Sequence, residues 1–278
     1  MPQDKYSAIW VSHSSIGDFL KCPRAYFLHN VYRNEKKRKI NIINSALSLG
    51  QAVHSVLEGL AHLKVEERFT KPLEEAFEAA WGEISGKRGG FVNEAEEREA
   101  KGRGLAMIQR VAKNPGPLKN KTVRMKEGEM LPNFYLSESD NIILCGKIDW
   151  IEYLSEDDSV RLLDFKTGRN EEKENSLQLP IYLLLLRNLQ KRKVTGASYW
   201  YLDKDDAPRE VTLPEYEKAH SDVLAIARKV KEAREKKEFP CPKGEKGCYG
   251  CRPFEKILRG EAEYLGVGEY NQELYLVK

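Results

Sequence analysis

Asp149, Asp164 and Lys166 stand at the ends of two short apolar runs in ILCGKIDWIEYLSEDDSVRLLDFKTG, residues 143–168. Two such runs joined by the polar turn SEDDS predict a β-hairpin. Asp164 and Lys166 are two apart, so their side chains leave the same face of the second strand. Charge on the inner face of a hairpin is costly unless it is paired or holds a metal. Where the hairpin brings Asp149 beside Asp164, each carboxylate raises the other's pKa unless a divalent cation lies between them. A hard cation taking carboxylate oxygens, a backbone carbonyl and water is Mg²⁺ or Mn²⁺. An ammonium group beside it orients an attacking water or stabilises charge on a phosphate. The plainer alternative is a surface hairpin with an ordinary ion pair, worth little.

The cysteines pose a second question. Cys248 and Cys251 form C-x-x-C in a glycine-rich turn, Cys241 precedes them in FPCPKGEKGCYGC, and Cys22 lies far off in LKCPRAYF. In a reducing compartment, clustered cysteines read as metal ligands rather than disulfides. Four thiolates suit Zn²⁺ or an iron–sulfur cluster, and ligand count does not separate them. Cys145, in the apolar run ILCG, reads as a small core residue.

The elements that must position these groups follow from periodicity. SHSSIGDFLKCPRAYFLHNVY opens on capping serines and is a helix broken at Pro23. SALSLGQAVHSVLEGLAHLK is an amphipathic helix carrying Ala46, Leu49, Val53, Val56, Leu57 and Leu60 along one side. Gly50, His54 and Glu58 fall on one stripe of that helix at i, i+4 spacing. Further helices are expected over 71–85 and 93–113, and strands over 121–136, 142–152 and 159–165, forming a meander. NSLQLPIYLLLLRNLQKR is a buried helix with Pro180 in its first turn, where proline is tolerated, and Gln178 and Tyr182 are four apart on it. VTGASYWYLD is a strand, and PEYEKAHSDVLAIARKVKEAREKK a long helix ending in basic residues. The expected fold class is α/β, a mixed central β-sheet flanked by helices. The expected organisation is a single domain: residues 1–40 with the first cysteine, a helical region 41–118, an α/β core 119–213, and a helix with the cysteine cluster over 214–278.

Taken in order, G-x-x-x-H, G-K-I-D, D-F-K-T-G and Q-x-x-x-Y resemble the PD-(D/E)XK nuclease superfamily, in particular the RecB and AddB nuclease domains and the CRISPR-adaptation exonucleases. The resemblance runs from SHSSIGDFLKCPRAYF to CYGCRPFEKI. It implies a restriction-endonuclease-like core with an N-terminal helical insertion and a C-terminal cysteine-bound segment. His54, Asp149, Asp164 and the Phe165 carbonyl would be metal ligands, Lys166 the catalytic lysine, and Gln178 and Tyr182 the branch's additional motif. Glu58, one turn beyond His54, would support the site from behind. A histidine nitrogen among oxygens suits Mn²⁺ as well as Mg²⁺. Cys22, Cys241, Cys248 and Cys251 resemble the branch's [4Fe-4S] staple, with Zn²⁺ as the alternative. The match departs in one place, because Ile257 stands where a cysteine is expected and Cys241 lies on the other side of the pair.

The chemistry so implied is metal-assisted hydrolysis of DNA, as an exonuclease on single strands or free ends, in repair, recombination or CRISPR adaptation. The alternative is a non-catalytic nucleic-acid-binding subunit of a helicase–nuclease or recombination complex. No G-x-x-x-x-G-K-[ST] occurs, so unwinding would fall to a separate helicase or other partner protein. Of 278 residues, 46 are Lys or Arg and 43 Asp or Glu, a net charge of +3, which leaves room for a local basic groove on a nearly neutral protein. RNEKKRKI and ARKVKEAREKKEF are basic runs fit to line a DNA path, and Tyr26, Phe27, Tyr199, Trp200 and Tyr201 have rings able to stack on bases. Runs of that kind are also commonly solvated helix ends, and such aromatics commonly core. No stretch approaches the roughly 20 apolar residues of a membrane span, and the first residues lack a signal-peptide pattern, so the expected location is cytoplasmic.

Overall fold

In the computed structural model, residues 5–125 and 131–277 are described. In chain order the strands are β1 (Ile9–Val11), β2 (Ile40–Ile42), β3 (Asn133–Ser137), β4 (Ile142–Cys145), β5 (Trp150–Leu154), β6 (Ser159–Lys166), β7 (Lys193–Tyr201), β8 (Arg209–Val211), β9 (Glu263–Val267) and β10 (Glu273–Leu276). The helices are α1 (His13–Lys21), α2 (Pro23–Tyr26), α3 (Ser45–Gly59), α4 (Leu73–Gly82), α5 (Glu94–Lys113), α6 (Gln178–Leu189), α7 (Tyr216–Lys236) and α8 (Arg252–Leu258). The fold is mixed α/β, as the resemblance implies. It divides into two compact units, one of Met1–Asn44, Tyr135–Leu144 and Ser221–Lys278, the other of Ser45–Phe134 and Cys145–His220.

The second unit is built on the sheet β5-β6-β7-β8. β5 and β6 form the expected antiparallel hairpin, with Trp150 opposite Leu163 and Leu154 opposite Ser159. β6 and β7 run parallel, joined through α6, and β8 closes the sheet antiparallel to β7. Alternation along β6 sends Leu163 and Phe165 into a core with Val53, Leu57, Phe77, Met107 and Trp200, which come from α3, α4, α5 and β7. Asp164 leaves the opposite face and meets Gln178 on α6, a helix buried from Ile181 to Leu186. The sheet therefore carries helices on both faces. Phe77 packs so close to α5 that a Cβ on Gly104 would come within 2.6 Å of its ring, so only glycine fits there.

The first unit contains two small sheets, β1-β4-β3 and β2-β10-β9. α1 starts where expected: Ser12 Oγ accepts the Ser15 N–H and Ser15 Oγ accepts the Ser12 N–H, and the helix stops before Pro23. The residues after Tyr26 widen into a π-helical turn, with Tyr32 N–H donating to the Phe27 carbonyl at 2.8 Å.

The expected strand over 142–152 is two strands. Ile142–Leu144 pairs with Ile9–Val11, residues 146–149 leave regular structure, and Trp150 opens the hairpin. Gly146 allows the break, since a Cβ there would lie 3.0 Å from Leu185. The meander is thus replaced by separate sheets. Of the strand expected over 121–136, β3 forms at its end and Thr122 makes a single bridge to Glu152; residues 126–130 lie outside the described residues.

One buried cation holds the second unit's hairpin to its neighbouring loop. Arg68 is 4% exposed, donates to the carbonyls of Leu118 (2.8 Å) and Asn120 (2.7 Å), and has its guanidinium 4.9 Å from the Trp150 ring centroid. Replacing it with methionine keeps the volume but strips both carbonyls of their donor. Arg68→Met should lower stability by about 2–4 kcal/mol, read as a lower urea midpoint in tryptophan fluorescence. A midpoint unchanged within error would show that water replaces the guanidinium there.

Candidate metal centre and lysine site

β5 starts at Trp150, so β6 outruns its antiparallel partner after Leu163. The Phe165 N–H, which would have paired with a longer β5, instead donates to Asp149 Oδ2 at 2.9 Å. In an extended strand the N–H and C=O of one residue leave the same edge, so the Phe165 carbonyl projects toward the Asp149 side as well. α3 brings His54 to that edge, its ring edge-on to Phe165 with centroids 6.0 Å apart. Gly50, one turn earlier, lets the helix approach: a Cβ there would lie 3.2 Å from Thr167 Oγ1, the residue after Lys166.

His54, Glu58 and Asp149 form a cluster whose ligand atoms all lie within 4.8 Å of one another. His54 Nδ1 is 3.2 Å from Glu58 Oε1 and 3.6 Å from Asp149 Oδ1. Glu58 stands in this trio rather than behind it, and its other oxygen pairs with Lys147. Asp164 lies outside the trio. Its Oδ1 accepts from Gln178 Nε2 at 2.7 Å, and its Oδ2 lies 2.9 Å from Lys166 Nζ. That ammonium is at ion-pair distance but misaligned, so the buried Oδ2 accepts no hydrogen bond. Lys166 also pairs with Glu172 Oε2 at 2.8 Å, donates to Gln178 Oε1, and sits 4.8 Å from the Tyr199 ring centroid. Gln178 Nε2 also donates to Tyr182 Oη at 3.1 Å.

Burial, then the charge of Asp164, pushes Asp149 up to about 7, against the pull of His54 and the Phe165 N–H. Burial also raises Asp164, despite Lys166 and His54. For His54, burial disfavours the imidazolium, but the Glu58 hydrogen bond and the charges of Asp149, Glu58 and Asp164 outweigh it and the pKa rises. Burial likewise opposes the Lys166 ammonium, and Asp164 with Glu172 hold its pKa above the ordinary value. The donor set is thus short of positive charge: both carboxylates resist ionisation even with Lys166 and His54 beside them. Oxygen and imidazole donors in that condition fit a hard divalent cation.

Glu172, Lys147 and Tyr199 are site neighbours that sequence reasoning left out or placed elsewhere. Lys147 stands two residues before Asp149 in the irregular segment 146–149 and pairs with Glu58. Tyr199, whose ring suits base stacking by type, is opposite Asp164 in the β6–β7 register and only 6% exposed. Glu172 lies in the loop between β6 and α6 and carries no local signal.

The four cysteines named from sequence converge in the first unit, all buried, with every Sγ within 4.8 Å of the others. Cys251 Sγ lies 3.7 Å from Cys241 Sγ and 3.9 Å from Cys248 Sγ. Cys145 is apart from them, half-buried at the end of β4. Ile257 is buried against the cluster as apolar wall, and Cys241 supplies the fourth sulfur. Gly247 has φ 70°, and a Cβ there would lie 2.9 Å from Glu255 and 3.2 Å from Cys251 Sγ, so the loop closes only on glycine. Burial opposes ionisation of Cys248, but N–H groups of Cys251 and Gly250 outweigh it and bring its pKa to about 7. Burial and its thiol neighbours push Cys251 up to about 12. Cys248 ionises readily while burial holds Cys22 and Cys251 protonated, so the set fits a cation that displaces protons as it binds.

A carboxyl group whose folded pKa exceeds its unfolded value stabilises the fold below the unfolded pKa and loses that contribution as pH rises through the folded one. For Asp149 the window runs from the model-peptide value near 4 to about 7. In buffer free of divalent ions, Asp149→Asn should therefore be more stable than wild type at pH 8, by on the order of 1–3 kcal/mol, and indistinguishable from it near pH 4. Paired urea titrations at the two pH values test this, and an Asn-minus-wild-type difference independent of pH would contradict it.

A sequence profile of the PD-(D/E)XK nuclease superfamily matches residues 10–254. No curated protein matches the chain. With that match spanning most of the length, and a mixed sheet carrying the D-x-K pair beside a histidine helix, the chain belongs to the PD-(D/E)XK nuclease superfamily.

Proposed function

We propose that this protein is a divalent-metal-dependent deoxyribonuclease of RecB-like type, an exonuclease working on single strands or free DNA ends. The reading is carried by one observation: Lys166 shares the end of β6 with two buried carboxylates that resist ionisation and with the imidazole of His54. His54, Asp149, Asp164 and the Phe165 carbonyl would hold Mg²⁺ or Mn²⁺, with Glu58 a further oxygen donor in reach of His54. Such an ion polarises a phosphodiester and lowers the pKa of a bound water.

The chain's own residues do the rest. Lys166 brings a fixed positive charge to the edge where a phosphate would lie and stabilises charge developing on it. Gln178 bonds Lys166 with its carbonyl and Asp164 with its amide, so one side chain sets the orientation of both. Tyr182 accepts the second amide hydrogen bond and keeps Gln178 in that rotamer. Glu172 on the far side of the ammonium keeps Lys166 protonated and centred.

For the cysteine centre, we propose a single Zn²⁺ in preference to the [4Fe-4S] cluster implied by resemblance. Zinc–thiolate bonds of about 2.3 Å give a tetrahedron with edges of about 3.8 Å, and two of the Sγ separations, Cys251 to Cys241 and Cys251 to Cys248, are 3.7 and 3.9 Å. A four-iron cube puts its own iron and sulfide atoms between the thiolates and spreads them beyond mutual contact. Its role would be structural, joining Cys22 to Cys241, Cys248 and Cys251.

Release of nucleotides from end-labelled single-stranded DNA should require added Mn²⁺ or Mg²⁺ and fall about 10²–10⁴-fold in Lys166→Ala and Asp149→Ala. Equal release by the variants would end the nuclease reading and favour a nucleic-acid-binding subunit. Protein purified without oxygen should be colourless and carry about one zinc per chain; iron in excess of zinc with visible absorption would restore the cluster.

A further inference from the structure

The first unit holds a cavity of about 730 Å³ that none of this chemistry uses. Its wall comes from the turn after α2 (Phe27, Leu28, Val31) and from the end of α7 with the segment beyond it (Arg234, Lys237, Phe239). That volume lies within the range of small-molecule sites, roughly 300–1,000 Å³. The local geometry that makes it is specific. Just past α7, Lys237 takes the left-handed conformation, φ 56°, and the Glu238 N–H donates back to the Ala233 carbonyl at 3.0 Å. This reversal swings Phe239 onto Phe27, ring centroids 4.9 Å apart and planes 30° off parallel.

The polar rim is cationic. Arg24 and Glu255 both line the cavity and neutralise each other at 2.9 Å. Arg234 and Lys237 have no such partner: neither pairs with a carboxylate among the described residues, and Arg234 is bonded only to the Tyr26 hydroxyl. Arg33 adds a third charge nearby. Its guanidinium is spent on the open carbonyls of Asn30, Val31 and Tyr32, and burial together with the positive charge of Arg234 lowers its pKa. Two unneutralised cations beside a pair of aromatic rings match a ligand that is itself a flat ring bearing phosphate.

We propose that this cavity is a nucleotide subsite for single-stranded DNA, in which Phe27 and Phe239 take one base and Arg234 and Lys237 take the flanking phosphates. The subsite is defined wholly within the cysteine-bound unit. It shares with the nuclease reading the premise of a DNA partner and is independent of turnover. Base–aromatic stacking is indifferent to sequence because every base has a π face, and the two cations meet a backbone that every sequence shares. The predicted recognition is therefore of a strand, without base preference.

The test is fluorescence anisotropy of fluorescein-labelled oligo(dT), with full-length Lys166→Ala protein as the background so that the strand stays intact. Phe239→Leu keeps the apolar wall and removes the ring, and should weaken binding by about 5- to 100-fold. Arg234→Gln and Lys237→Gln should each reduce the slope of log affinity against log salt by about 0.7. Lys229→Gln, an exposed cation on α7 outside the cavity, should leave affinity and slope near those of the background, apart from a small general charge effect. The mononucleotide dTMP should compete only weakly, since it offers one base and no chain of phosphates. Affinity and salt slope unaltered in Phe239→Leu and Lys237→Gln would overturn the subsite, as would tight dTMP binding at the cavity with no contribution to oligonucleotide affinity. Wild-type protein that binds the strand yet releases no nucleotide with Mn²⁺ or Mg²⁺ present would count against the nuclease reading alone.

Discussion

Two carboxylates taken out of water at one edge of a sheet are the constraint around which the second unit is arranged. Asp164 is 2% exposed and the Asp149 side chain 10%, and burial raises the pKa of both. Hydrophobic packing cannot satisfy such groups, so every nearby polar residue serves them in some way. The truncated β5 frees an N–H for Asp149. α6 contributes Gln178 to Asp164, and β6 contributes Lys166 two residues on. Even so, one oxygen of Asp164 accepts no hydrogen bond. A fold designed only for stability would place valine or leucine there, as the strand's other inward positions do.

The same constraint explains the arrangement of the apolar framework. Phe165 and Leu163 anchor β6 from the opposite face in the core of α3, α4 and α5, so the strand end cannot move to relieve the charge. Glycine at position 50 keeps α3 near enough for His54 to reach the edge. Lys166 is held from three sides, by Asp164, Glu172 and Gln178, over the ring of Tyr199. An ammonium so restrained retains little rotamer freedom, and its orientation is set before any substrate arrives.

Much of this was legible in sequence because it depends on short periods. The i, i+4 stripe of Gly50, His54 and Glu58, the two-residue step from Asp164 to Lys166, and the i, i+4 pair Gln178 and Tyr182 each follow from one helix or one strand. The hairpin turn and the proline-tolerant start of α6 were legible for the same reason. What was not legible depends on register between distant segments. The strand expected across 142–152 breaks because its first half pairs with residues 9–11, which no local pattern announces. Tyr199 is set under Lys166 by the β6–β7 register, and Glu172 by the path of a loop. Cys241 was legible as a thiol in a proline–glycine loop, while the part taken by Ile257 as apolar wall appears only once the chain is folded.

The cysteine centre joins position 22 to positions 241, 248 and 251. Every residue of the second unit, from Ser45 to His220, lies on the span of chain enclosed by that closure. A ribosome will have made the whole hydrolytic region before the sulfur set is complete, so the first unit has to wait for the C-terminal segment while the second already has all its strands. A metal held by those sulfurs would remove much of the freedom of the denatured chain, and the gain would grow only logarithmically with the length enclosed. Insertions in loops of the enclosed region would therefore cost the closure little, leaving the second unit free to vary in length without loosening the sulfur clasp.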